Sequence, residues 1–153
     1  MVKPLKMRPH VLCLSLLALF FGACLAKDVT DRELIGAWAS MSAMPHSLPK
    51  VPSGLSSLRL SGDRTFSAEN VPDTLIFTFD QAKGRGFSGT GRWSLIKESG
   101  DQFVQLQFNT IDQVAGNWGA KLFLGKSEGK YSLYFFIKEE GGDRFEWRPS
   151  EKL

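Results

Sequence analysis

The chain of 153 residues is short of thiols, imidazoles and net charge, and each shortage closes off a class of function. Both of its cysteines, Cys13 and Cys24, and one of its two histidines, His10, fall within the first 26 residues. Beyond residue 26 no internal disulfide can form, and Cys/His chemistry is excluded. A Ser-His-Asp arrangement would depend on His46 alone, which sits beside Met44 and Pro45 with no nucleophile-elbow motif elsewhere. Long apolar runs are also missing. The longest, Val11–Phe21, has 11 residues and is broken only by Ser15, whereas a membrane-crossing helix takes about 20. The net charge of +3 is equally local, because Lys3, Lys6 and Arg8 supply three of the 19 basic residues while none of the 16 acidic ones precedes residue 27. The remainder holds 16 of each sign and has no basic footprint for nucleic acid.

What is present begins with a leader. A basic head, the short apolar run and the small-residue exit Gly22-Ala23-Cys24-Leu25-Ala26 describe a secretory signal peptide. Two cleavages are open. One follows Ala26, leaving a single domain over residues 27–153. The other precedes Cys24, because Phe21-Gly22-Ala23-Cys24 resembles a bacterial lipobox, and would remove residues 1–23 and lipidate Cys24. The expected location is the bacterial periplasm, or the outer membrane through that lipid anchor alone.

The rest of the sequence predicts strands. Thr30 with Glu33 forms a capping-box pattern for one helical turn, and Leu34–Met41 reads as the first strand. Three prolines make Met44–Pro52 loop or edge. Leu55–Leu60 and Thr65–Ala68, around Ser61-Gly62-Asp63-Arg64, predict a hairpin. Thr74–Phe79 has strand composition, yet Pro72-Asp73 equally suits a short helix. Gln81–Gly89, with Gly84, Gly86 and Gly89, reads as a mobile loop and a potential lid. Strands are expected at Gly91–Ile96, Phe103–Phe108, Ala120–Leu124, Tyr131–Ile137 and Arg144–Arg148. Val104, Leu106 and Phe108 alternate with Gln105 and Gln107 as one dry and one wet face, whereas Tyr131–Ile137 is apolar on both parities, as if covered on both sides. The fold class is all-β: an antiparallel barrel of eight or nine strands, with a sandwich as the alternative.

Gly36-Ala37-Trp38 opening the first strand after a helical turn resembles the start of lipocalin-like (calycin) barrels. The resemblance implies that Trp38 plugs the closed end and that an arginine of the last strand, Arg144 or Arg148, packs over its indole as a cation–π contact. Gly91-Arg92-Trp93 repeats the Gly-x-Trp pattern. More loosely, the chain resembles small exported lipocalin-like proteins of bacteria.

Chemistry is harder to place. Glu139-Glu140 and Asp143, around Gly141-Gly142, read as a solvated hairpin tip rather than an acid–base pair. Met41, Met44 and His46 are soft donors but too few for a copper site, so neither a metal nor any other cofactor is expected. The chain is read as a monomer without enzymatic activity. Its expected role is to hold a small apolar or amphipathic molecule inside the barrel, lined by Trp93, Leu106, Phe108, Leu122 and Phe135, with Trp38, Leu58, Leu60, Val104 and Leu133 also pointing inward. The alternative is a periplasmic immunity or inhibitor protein that binds an enzyme or toxin through Met44, His46 and an exposed Trp118.

Overall fold

The computed structural model describes residues 28–40, 51–78, 80–137 and 143–150. Cys24 and the leader, Met41, Met44, His46 and Glu139-Glu140 lie outside them. Within the described residues a one-turn helix α1 (Asp31–Leu34) precedes eight strands: β1 (Gly36–Ser40), β2 (Ser57–Leu60), β3 (Thr65–Pro72), β4 (Gly86–Glu98), β5 (Asp101–Ile111), β6 (Val114–Ser127), β7 (Lys130–Phe136) and β8 (Arg144–Pro149). Each strand pairs antiparallel with its neighbour, and β8 returns to β1 through Ser40 opposite Trp147, so the sheet closes into an up-and-down barrel without a free edge. The sandwich alternative is thereby set aside.

Alternation decides which side chains enter the barrel. Phe87, Gly89, Gly91 and Trp93 of β4 are buried between exposed neighbours, and Val104, Leu106 and Phe108 of β5 face them across the pairs Leu95–Val104 and Trp93–Leu106. Ala120 and Leu122 continue the layer on β6, followed by Leu133 and Phe135 on β7 and Phe145 and Trp147 on β8. Aromatic rings interlock inside. Phe108 meets Phe66 edge-on at 4.8 Å and Phe87 at 5.4 Å, while Phe145 meets Trp147 at 4.7 Å.

One end is shut by the residues before β1. The Glu33 carboxylate accepts from the N–H and Oγ1 of Thr30, which fixes the turn. That turn buries Leu34, whose carbonyl accepts from Trp38 Nε1 at 2.9 Å. Val29 and Gln102 exchange two hydrogen bonds, tying the segment to β5. The arginine over an indole at this end is Arg64, 4.7 Å from the Trp93 ring and paired with Asp31.

Several expectations change. Arg144 and Arg148 do not cover Trp38. Because Phe145 and Trp147 take the inward parity, the two arginines stand on the outer wall, both paired with Glu146, and Arg144 lies over Tyr134. Thr74–Thr78 is no strand, Asp73–Leu75 forming a 3-10 turn, and Phe79 lies outside the described residues. The Gln81–Gly89 loop is partly β4, which begins at Gly86, and its remainder is tethered, with Ala82 buried and Lys83 N–H bonded to Asp73. Finally, β7 is apolar on both parities without a second covering layer. Its outward Tyr134 and Phe136 form a cluster with Phe123, ring centroids 5.5–5.6 Å apart, and Phe136 stays exposed.

Candidate functional site

The five residues expected to line an interior cavity, Trp93, Leu106, Phe108, Leu122 and Phe135, are only 0–4% exposed and belong to one continuous core. Among the described residues, a half-open cleft of about 340 Å³ lies at the end opposite α1, lined by Asp73, Ile76, Phe77, Arg85, Gly86, Phe87, Ile111, Asp112, Val114 and Trp118. That volume falls at the lower end of small-molecule sites, roughly 300–1,000 Å³.

One wall is the segment joining β3 to β4, and Asp73 is its knot. Asp73 N–H donates to the Arg85 carbonyl at 3.0 Å, and the Asp73 carbonyl accepts from Ile76 and Phe77 N–H. Its Oδ2 accepts from Lys83 N–H at 2.8 Å. These bonds bring the two ends of the segment together and set Ile76 and Phe77 on the cleft wall. Asp73 is 6% exposed, and its Oδ1 has no hydrogen-bond partner among the described residues; the same holds for Thr74 Oγ1 beside it. Buried polar atoms normally find a partner, so the exception at Asp73, which lines the cleft, is informative.

The other wall is the β5–β6 hairpin. Asp112 N–H donates to the Ser88 carbonyl at 2.7 Å, and Asp112 Oδ1 accepts from Ser88 N–H at 2.8 Å, clamping the turn to β4. Ile111 pairs with Val114 across it. Trp118 stands opposite Phe108 and shares its inward parity. Its indole lies over Gly116, where a Cβ would come within 2.1 Å of the ring. The apolar rim is open to solvent, Phe77 being 45% and Val114 63% exposed.

Of the candidate site residues, Trp118 lines this cleft, half-buried against the core rather than as an exposed anchor on the surface, and the segment expected as a lid, Gln81–Gly89, contributes Arg85, Gly86 and Phe87 to the lining. Trp38, Arg144 and Arg148 are elsewhere, and Met44 and His46 lie outside the described residues. Asp73, Ile76, Phe77, Ile111, Asp112 and Val114 were missed. Their one trace in the sequence is an acid directly after the strand-ending Pro72, followed by the apolar Leu75-Ile76-Phe77. Among the described residues, no three His, Cys, Asp or Glu side chains gather as metal ligands, and no helix is long and apolar enough to cross a membrane. The chain matches neither a protein-family model nor a curated protein.

Proposed function

We propose that this is a non-enzymatic binding protein which holds a small, largely apolar molecule at the mouth of its barrel. The observation that carries the reading is the half-open cleft whose apolar wall (Ile76, Phe77, Phe87, Ile111, Val114, Trp118) is left partly exposed by the fold. Ligand sites in barrels favour such mouths, where a few polar groups interrupt an apolar lining. A closed, next-neighbour barrel with a helical turn at one end supports the lipocalin-like resemblance in architecture. The leader supports export, and Cys24 a lipid anchor, as part of the same proposal.

The test is native mass spectrometry of the protein purified from its own cells, compared with its denatured mass. Mass present only in the native spectrum, and lost in Phe77→Ala, is the expected result. Identical bare masses, together with no cleft resonance shifting on addition of apolar probes, would overturn the reading. The denatured mass also separates a diacylated Cys24 from a chain starting at Lys27. A second reading, a protein that blocks an enzyme or toxin in the envelope, draws on the exposed ring of Phe136 beside Phe123 and Tyr134. It predicts a co-purifying polypeptide that is lost in Phe136→Asp and retained in Phe77→Ala.

A further inference from the structure

We infer that the cleft selects a cationic amine carried on an apolar body, and that Asp73 is the group that receives the ammonium. The inference rests on the cleft being a small-molecule site, as proposed above. Its starting point is the carboxyl group of Asp73, more than nine-tenths buried, lining the cleft and satisfied at one oxygen only. Oδ2 is taken by Lys83 N–H; Oδ1 receives no donor among the described residues, including the Arg85 guanidinium that shares the lining. A carboxylate oxygen is an acceptor only, so what completes it must donate.

The surroundings narrow the donor. An ammonium carries three N–H donors, so it can serve Oδ1 and stay hydrated at the half-open mouth, whereas a hydroxyl has one. Two carboxylates, Asp73 and Asp112, and one guanidinium, Arg85, line the cleft, and Asp112 Oδ1 is already engaged by Ser88 N–H. That balance favours a cation over an anion. A charge-assisted bond from an ammonium is also roughly twice as strong as one from a neutral donor. The apolar wall then takes the hydrocarbon part, so the ligand class is an amphipathic amine.

A matched probe series tests this: hexylamine, 1-hexanol and hexanoate titrated at pH 7 into the 15N-labelled full-length protein. Shifts are expected at Asp73, Lys83, Ile111, Val114 and the Trp118 indole, with hexylamine binding roughly ten-fold or more tightly than 1-hexanol and hexanoate weakest. Asp73→Asn keeps an acceptor for Lys83 N–H and places an NH2 where Oδ1 stands. It should bring hexylamine down to the affinity of 1-hexanol and leave 1-hexanol itself unchanged. Equal binding of the amine and the alcohol by the wild type, or an amine preference that survives in Asp73→Asn, would overturn the inference while leaving a small-molecule cleft. Silence of the cleft residues toward all three probes would overturn that underlying reading as well. If Asp73→Asn does not fold, the wild-type ranking of the three probes decides.

Discussion

Among individual residues, polar side chains fix geometry that burial alone leaves free. Ser56, just before β2, is one such case: its Oγ donates to the Glu69 carbonyl and accepts from Trp147 Nε1, while its N–H donates to Ser40 Oγ, so one buried hydroxyl ties the start of β2 to β3 and β8. Asp63 is another, in the β2–β3 turn. Its carboxyl is held below the ordinary aspartate range first by the Thr65 hydroxyl at 2.6 Å, then by Thr65 N–H at 3.0 Å, with Arg92 adding a weaker pull. The native state therefore takes up this proton less readily than the unfolded chain. The stabilisation is present above the ordinary aspartate value and is lost as pH falls through the depressed one. Accordingly, Asp63→Ala should melt below the wild type at pH 7, and the gap should narrow on acidification. Thermal melts across pH 7 to 2 check this; a gap that widens toward acid would contradict it.

The strands themselves were legible wherever period-two alternation met turn residues, as at Phe103–Phe108 and the Ser61–Arg64 turn. Legibility failed around β4, for a physical reason. Gly86 and Gly89 read as loop punctuation, yet Gly89 is a strand residue whose missing Cβ admits the Phe108 ring; a Cβ there would lie 2.8 Å from it. A glycine cleared for a distant aromatic has the same local appearance as a glycine in a turn. Arg144 and Arg148 were placed wrongly because their parity on β8 depends on which way Phe145 and Trp147 point. The hairpin at Asp112-Gln113 yields a prediction of its own. Both residues have positive φ, 47° and 67°, the geometry of a two-residue type I′ turn, but unlike Ser99-Gly100 and Glu128-Gly129 the turn contains no glycine. Gln113→Gly should therefore stabilise the protein by about 1 kcal/mol or somewhat less. A denaturant midpoint moving to higher concentration at unchanged slope is the expected readout.

For the whole molecule, the question is where a closed barrel of this size keeps free volume. Here large side chains fill the interior, and the cleft is left at the mouth, between the Asp73 segment and the β5–β6 hairpin. The two regions should respond separately to mutation. Leu122 is fully buried, opposite Val104 and well below Trp118. Leu122→Trp should cost about 1–3 kcal/mol through overpacking, while the folded fraction still gives the wild-type response of Val114 and Trp118 to 1-hexanol. A stable Leu122→Trp protein that no longer binds would move the site into the barrel.

Alternating apolar residues, turn chemistry and the lack of helical periodicity determined the all-β class from sequence alone, because strand formation and hairpin closure act over a few residues. The capping pattern at Thr30–Glu33 was likewise local, and so was the dry face of Val104, Leu106 and Phe108. The tertiary structure alone decided the rest: that β8 closes on β1, that Arg64 rather than an arginine of β8 lies over an indole, and that the interior is filled. It also decided that Asp73, joined by hydrogen bonds to Lys83 and Arg85, comes to line a cleft with Trp118. Each of these depends on contacts between residues far apart in the chain, where volume and side-chain direction are fixed only once all eight strands have closed.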